Sequence, residues 1–413
     1  MENPYRKTDT NNKSEHQPAC TILACAYVAS EDTGILNDII RIENKLGLSE
    51  DTELPPDCPI FELVSNSEHI RNKMSEKGRA KIFKHKPPFS DDEIIKLAER
   101  WTSQTGMGDR LFFKGTHRQL VAVAAVKLIL KAGIPISRID MIKIARNNLS
   151  EAYPSLSDYV LLILMEYFHD HTKCHVSCLD YQEACSAGLE AVRSGWQAIR
   201  ADDADCVLVI SAEMATNLLS RDKQDSNLFS DGAAGVILIR SDEEIFVHRD
   251  GKCSPQHGNL EKIKQTPDGF EQEGGHVLKF VSRNVVPRTK EVIQKLLSED
   301  PHIRKVHVIS HQPSIRLLEP FSKEIAELKK KYNENISENE KIDIVFHMDK
   351  TKTREDGVER LTGNTSSAST LILFAKLVLR GEIEAGSLVY FVAFGSGYSY
   401  ISLTIKMPEF IRH

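Results

Sequence analysis

Cys206-Val-Leu-Val-Ile-Ser-Ala-Glu213 lacks the polar alternation of a strand with one wet face. A strand of this kind is covered on both sides, which calls for a sheet with helices packed on each face. The preceding residues agree. His175–Leu179 is apolar and reads as a short strand, and a polar passage follows it. Cys185-Ser-Ala-Gly188 then opens a helix with apolar residues at Leu189, Val192, Trp196 and Ile199, a spacing of three and four. Strand, helix and strand in this order predict an α/β fold with a largely parallel sheet.

The rhythm extends in both directions. Upstream, Thr21–Ser30 reads as a strand and Ile35–Leu46 as a helix. Prolines 55, 56, 59, 87 and 88 punctuate loops around an amphipathic piece near 70–82, and Asp91–Thr102 reads as a helix. Thr116 caps a helix over His117–Ala132, which Gly133 and Pro135 close. Arg138–Ala145 follows as a strand and Leu156–Phe168 as a helix. Downstream, Phe229–Ile239 is a glycine turn feeding a strand. Helices are then expected at 283–297 and 315–331, and strands at 306–310, 342–347 and 388–394. Cys185 opens a helix followed by the buried strand 206–212, and Asn364 opens one followed by 388–394. That parallel predicts an internal duplication with its boundary near Arg240–Glu244. The expected organisation is a disordered tail over 1–20, one half over 21–242 with an insertion around 35–95, and a second half over 243–413.

A net charge of -6 argues against nucleic acid as the main partner. Eight cysteines scattered through apolar surroundings suit a reducing compartment and not a disulfide framework. No apolar run reaches the roughly 20 residues a membrane span needs, and residues 1–18 lack the apolar core of a signal peptide. A soluble, cytoplasmic protein is expected. Thr105-Gly-Met-Gly-Asp-Arg110 is glycine-rich but lacks the Gly-Lys-Ser/Thr ending of a phosphate-cradling loop. Cys174, His175 and Cys178 have no second ligand pair, so strand packing is expected there and no metal.

Chemistry concentrates at three junctions. A lone cysteine is usually a small buried hydrophobe, but Cys185 begins a helix, where exposed N–H groups and the macrodipole favour an anion. A lowered thiol pKa is expected there. His311 directly follows the apolar strand ending at Ser310, and the carboxyl ends of strands are where open α/β sheets hold ligands. Asn364 by itself reads as a helix N-cap. Together the three offer a nucleophile, a base and an orienting amide.

The stretches around them resemble the β-ketoacyl-acyl-carrier-protein synthase III group of the thiolase superfamily, from about Trp101 to the C-terminus. Glu183-Ala-Cys-Ser-Ala-Gly188 resembles its nucleophile turn, Ser310-His-Gln-Pro-Ser-Ile-Arg316 its histidine box, and Thr362-Gly-Asn-Thr-Ser-Ser-Ala-Ser369 its asparagine box. Thr105–Arg110, Phe229–Ala234 and Phe394–Gly397 resemble the remaining markers, in the same order. The resemblance implies a five-layer αβαβα fold from two duplicated halves, a homodimer, and a Cys185–His311–Asn364 triad. It implies an oxyanion hole from the backbone N–H groups of Cys185 and Ser396. Substrates would be thioesters of coenzyme A or acyl carrier protein, with no cofactor. The implied reaction loads an acyl group onto Cys185 and joins it to a malonyl-type or β-ketoacyl thioester by decarboxylative condensation.

Departures cluster at the coenzyme entrance. Trp101 matches a tryptophan that packs on adenine, but Gln104 stands where the family has a basic residue. Ser314 replaces an asparagine, and Lys223 stands near an adenine-contacting arginine. Arg316 matches an arginine implicated in carrier docking, and Phe394 borders the site. These differences point to a specialised-metabolism (polyketide or natural-product) member, with a carrier-bound or unusual donor. Transfer of the acyl group to oxygen or nitrogen, and a non-catalytic subunit of a heterodimer, are the alternatives. A cysteine protease shares the Cys, His, Asn order but wants a Cys-Gly-Ser-Cys-Trp type segment and disulfides, both absent here.

Overall fold

The computed structural model describes residues 18–148, 153–172, 175–218, 220–253, 263–266, 269–272, 274–334, 336–409 and 411–412. The expected tail up to residue 17 and Cys174 lie outside these. Ala19 and Cys20 already belong to the first strand, and Cys20 is buried.

In chain order the elements are β1 (Ala19–Tyr27), α1 (Thr33–Lys45), β2 (Phe61–Val64), α2 (Asn66–Glu68), α3 (Glu76–Phe83), α4 (Asp91–Thr105), β3 (Arg110–Phe113) and α5 (His117–Ala132). Next come β4 (Met141–Ala145), α6 (Leu156–Phe168), β5 (Ser177–Tyr181), α7 (Ala187–Arg200), β6 (Cys206–Met214), β7 (Asp231–Ser241), β8 (Phe246–Cys253), β9 (Ile263–Thr266) and β10 (Gly269–Gln272). The chain finishes with α8 (Gly274–Phe280), α9 (Val286–Glu299), β11 (Lys305–Ser310), α10 (Ile315–Tyr332), β12 (Asp343–His347), β13 (Lys350–Lys352), β14 (Glu359–Leu361), α11 (Ser369–Leu379), β15 (Leu388–Gly395) and β16 (Ser399–Lys406).

Two five-stranded sheets carry the fold, ordered β1-β7-β6-β4-β5 and β8-β16-β15-β11-β12. In each, the first two pairings are antiparallel and the last two parallel. The same order and sense in both sheets is the duplication that the sequence rhythm suggested. The expectation of a largely parallel sheet is corrected to an even mixture. A parallel return needs a crossover helix. Among the described residues the links β6–β7 and β15–β16 hold only short 3-10 turns, so in each sheet the chain returns antiparallel beside itself.

The helices α7 and α11 lie between the sheets. Leu189, Val192 and Trp196 of one and Leu371, Phe374 and Leu377 of the other share a core with Val207, Val236, Val389 and Phe391. On the outer face of the first sheet pack α1, α5 and α6, and on that of the second α9 and α10. Five αβαβα layers result. Capping fixes where the outer helices begin. Thr116 and Gln119 cap α5 reciprocally, as Ser155 and Asp158 cap α6. The central helices α7 and α11 have no side-chain cap. Their N-termini meet where the candidate residues lie.

Residues 61–105 form a cap of their own. β2 pairs with β3, and Ile70, Met74, Ile94, Leu97, Ala98 and Trp101 make a separate small core. The β13–β14 hairpin grips this cap. Leu361 N donates to Gly106 O at 2.9 Å, Ser67 Oγ to Glu355 at 2.8 Å and Arg354 Nη2 to Glu68 at 2.8 Å. Gly106 sits at φ +70°, and a Cβ there would come within 2.5 Å of Ile315, so a glycine is required for both reasons.

Candidate active site

Cys185 follows a tight turn rather than beginning the helix itself. Ser186 N donates to Glu183 O and Ala187 N to Ala184 O, and α7 starts at Ala187. Ala184 is left-handed at φ 46°, a conformation that costs a non-glycine residue about 1–3 kcal/mol. The residue is only half-buried, yet its thiol is enclosed. Desolvation, with a contribution from the Glu213 carboxyl, pushes it up to about 12. The expected lowering is therefore overturned. Burial outweighs the helix end, and the resting group is a thiol.

The second sheet supplies the base. His311 leaves the end of β11, and its backbone N–H donates to Val392 O at 2.8 Å. The side chain is buried, and desolvation depresses it to about 3, so the imidazole is neutral. Its Nδ1 lies 2.7 Å from Ser369 Oγ, and the Phe394 ring meets it edge-on at 5.3 Å. The Ser369 hydroxyl is also 3.1 Å from Ser366 O. When it donates there, it accepts from Nδ1–H and leaves Nε2 bare. When it turns to Nδ1, Nε2 carries the proton. One rotor thus satisfies either tautomer.

Asn364 is buried between Leu228 and Ser230, bonded to both through its backbone. Its Oδ1 accepts from Ser366 N at 2.8 Å, the capping role expected of an isolated asparagine. With the oxygen so engaged, its amide NH2 is left without a partner among the described residues. Ser366 links the group. Its Oγ lies 3.6 Å from Cys185 Sγ, and it too is left-handed, at φ 48°. Cys185, Asn364 and His311 are thereby joined through Ser366 and Ser369. The turn after β15 closes on the other side. A Cβ on Gly395 would fall 2.8 Å from Cys185 N and 3.2 Å from the Ala184 Cβ, so the backbone leading into Ser396 lies directly against the nucleophile turn.

The expected substrate contacts are more dispersed. Trp101 is fully buried in the cap core, with the His69 ring edge-on at 6.4 Å. No indole face is open to an adenine, because α3 and α4 have closed over it. Gln104 is half-exposed near the end of α4, and Lys223 is half-exposed before the 224–228 turn. Ser314 is the N-cap residue of α10 but makes no capping bond. Arg316, one residue into that helix, is exposed and has no ion pair among the described residues. Lys329 pairs with Asp343, as a solvated helix face allows.

Sequence reasoning passed over four residues. Asn147 and Glu213 sit at the adjacent ends of β4 and β6, and Ser366 and Ser367 cross over from the second half. Glu213 is buried, accepts from Asn147 N at 3.1 Å and from Ser367 Oγ, and is raised by desolvation to about 7. A carboxyl closing an otherwise apolar strand was the available signal. Among the described residues no cluster of His, Cys, Asp or Glu could hold a metal, and no helix is long and apolar enough to cross a membrane.

The family models "3-Oxoacyl-[acyl-carrier-protein (ACP)] synthase III" and its C-terminal part match residues 179–251 and 347–407. The β-ketoacyl-[acyl-carrier-protein] synthase III of Clostridium tetani is 24% identical over 361 residues, covering 78% of this chain and 96% of that protein. The 3-oxoacyl-[acyl-carrier-protein] synthase III structure from Aquifex aeolicus superposes with a TM-score of 0.63 at 17% identity, over 94% of this chain and 100% of that one. The priming β-ketosynthase of the R1128 polyketide pathway gives 0.65 at 17%, over 95% and 97%. Both matched segments hold a candidate residue, Cys185 in the first and Asn364 in the second, on a fold shared from end to end. Over most of its length the chain is similar to the 3-oxoacyl-[acyl-carrier-protein] synthase III proteins, and it has their fold.

Proposed function

We propose that the protein takes an acyl group from a thioester onto Cys185 and joins it to a malonyl-type extender with loss of carbon dioxide. The observation that carries this reading is Asn364. Its oxygen is committed to Ser366 N, so its NH2, which has no partner among the described residues, is left to donate to a bound group, and Ser366 and Ser369 link it to the neutral His311. Plain acyl transfer to oxygen or nitrogen needs no such second donor. Enolate stabilisation does.

In the first half-reaction His311 Nε2 takes the thiol proton as Cys185 Sγ attacks the thioester carbonyl. The oxyanion is held by the N–H groups of Cys185 and Ser396, the carbon–sulfur bond to the carrier breaks, and the proton leaves on the departing thiol. In the second, the extender's carboxylate carbon–carbon bond breaks and carbon dioxide departs. The electron pair passes to the thioester carbonyl oxygen, between His311 Nε2–H and the Asn364 amide. The enolate carbon attacks the acyl carbon, and the tetrahedral intermediate expels the Cys185 thiolate, which is reprotonated. The two-way Ser369 hydroxyl supports a histidine that acts first as base and then as donor. Acyl carrier protein and coenzyme A are the candidate carriers. The closed cap over Trp101 favours a carrier arm over an adenine-anchored coenzyme, which fits a specialised-metabolism substrate. Among the described residues the edge strand β5 pairs only with β4, and it exposes Leu179 at 43%, a surface suited to a second copy of the chain.

Intact-protein mass spectrometry with acyl thioesters on coenzyme A and on carrier protein tests this reading. An acyl adduct on the wild type and none on Cys185→Ala is expected, with a β-keto product on adding malonyl carrier protein. Adducts that leave malonyl untouched would move the assignment to acyl transfer, and no adduct with any donor would refute loading altogether.

A further inference from the structure

Cys185 has a second arm of contacts that the triad does not use. Asn147 Nδ2 lies 3.2 Å from Ala184 O, 3.1 Å from Ser366 Oγ, and in hydrogen-bond contact with Glu213 Oε1. Ala184 and Ser366 are the two left-handed non-glycine residues that flank the sulfur. The orientation of the amide is forced. The Ala184 carbonyl can only accept, and so can the Glu213 carboxyl once ionised, so the NH2 must face them. The amide nitrogen can only donate, so Ser366 Oγ accepts a shared one of its two protons, which leaves the hydroxyl's own proton for Cys185 Sγ at 3.6 Å. Glu213 holds Asn147 twice, through the side chain and through the backbone N–H at 3.1 Å.

We propose that Asn147, anchored by Glu213, is a positioning residue that clamps Ala184 and Ser366 and turns the Ser366 hydroxyl proton onto the nucleophile. Ser366 touches the reacting atom and stabilises the thiolate as it forms. This goes beyond the triad but rests on Cys185 as nucleophile. The same arm brings an opposing influence, because the buried Glu213 carboxylate faces the sulfur through this network. The other charged groups nearby are engaged elsewhere. Arg146 is paired with Asp180, Asp231 accepts from Phe113 N and Thr216, and His117 Nε2 bonds to Ala212 O. His311 is neutral, and Glu183 sits half-exposed at the mouth of the turn.

The test is the rate at which iodoacetamide alkylates Cys185 in the full-length protein between pH 5.5 and 9.5, read by mass spectrometry. Alkylation needs no thioester. Normal alkylation without any acyl adduct would sink the condensation reading alone and leave this one standing. Ser366→Ala and Asn147→Ala should each slow alkylation about tenfold at pH 8.5, about one pKa unit at the thiol. Glu213→Gln should speed it at pH 8.5 and change little at pH 5.5, where the wild-type carboxyl is already protonated. The wild-type profile should flatten near pH 7 as Glu213 ionises, and Glu213→Gln should remove that shoulder. Opposite signs are the signature, since simple loosening of the site would move all variants one way. Unchanged rates for Ser366→Ala, or a Glu213→Gln effect of the same sign, would overturn the proposal. Ser366→Ala, which removes a single oxygen, decides it if Asn147→Ala fails to fold.

Discussion

Gly395→Ala tests the proposed oxyanion hole separately from the rest of the site. The glycine has φ -156° and ψ -162°, extended backbone that any residue adopts, so the substitution stores no torsional strain. Space is what forbids it. The new methyl would lie 2.8 Å from Cys185 N, 3.2 Å from the Ala184 Cβ and 3.4 Å from the Cys185 Cβ. Backbone and a tight turn must give way, and overpacking of this kind costs about 1–3 kcal/mol of stability. The larger effect should be catalytic. Cys185 N and the N–H following Gly395 must both lie within hydrogen-bond reach of one oxygen, and a shift of several tenths of an ångström removes one donor. Loss of an oxyanion donor costs about 10²–10³ in rate. The assay pairs acylation of Cys185 by a thioester with alkylation by iodoacetamide, which forms no oxyanion. Acylation should fall by about that factor and alkylation by less than about threefold, roughly 0.7 kcal/mol of barrier. Equal losses in both reactions would mean that the methyl displaced the sulfur itself. Unchanged acylation would remove the 395–397 turn from the hole.

Further outcomes follow from particular side chains. Because burial raises the Cys185 thiol, wild-type alkylation should keep climbing with pH from 6 to 9.5 apart from the Glu213 shoulder; a plateau at full reactivity below pH 8 would show a thiolate at rest. Trp101→Ala should lower stability by about 3–5 kcal/mol in denaturant unfolding, as a filled core position does. It should leave the preference between coenzyme A and pantetheine thioesters unchanged, and a selective loss of coenzyme A donors in a stable variant would restore adenine stacking. Arg316→Ala should change stability by less than about 0.5 kcal/mol while raising KM for carrier-bound donors only, and an equal rise for free pantetheine thioesters would contradict carrier docking there. Leu179→Asp should convert a dimer to a monomer in light scattering, and an unaltered mass would move the interface away from β5.

The sequence made the layered core legible because buried strands and capped helices carry local signals. Thr116 with Gln119 and Gly133 marks both ends of α5, and the bounds of α6 coincide with its apolar run. The antiparallel half of each sheet was harder to read. β8 and β16 pair with each other, and strand sense depends on the length of a link, which periodicity does not report. The cap was least legible. Its pieces are short, proline-broken and only cohere when Trp101 is enclosed, a tertiary event that reverses the role its motif suggests. In the site, the three junction residues could be found because each stands beside a strong local pattern. Asn147 could not, since an asparagine after a strand is ordinary, and its meaning lies in contacts to residues 184, 213 and 366 that only the fold brings together.

The error over Cys185 is instructive because its two inputs can be weighed. A charge near a helix N-terminus gains about 0.3–1 kcal/mol, at most about 2 in favourable buried geometry. Moving the thiol from its ordinary value to about 12 corresponds to roughly 4 kcal/mol against the thiolate. Enclosure wins, and the catalytic strategy changes with it. A resting thiolate would be exposed to oxidants and stray electrophiles. A neutral thiol linked through Ser366 and Ser369 to a neutral imidazole would stay quiet until the proposed thioester arrives, when the proposed oxyanion donors and the Ser366 hydroxyl can offset the cost of separating charge. The same neutrality would suit the proposed second half-reaction, because an imidazolium fixed in the site would hold an extender's carboxylate back from leaving as carbon dioxide. A desolvated, uncharged pair would thus serve both steps of the proposed reaction, with burial holding the imidazole neutral and the Glu213 carboxyl disfavouring the thiolate.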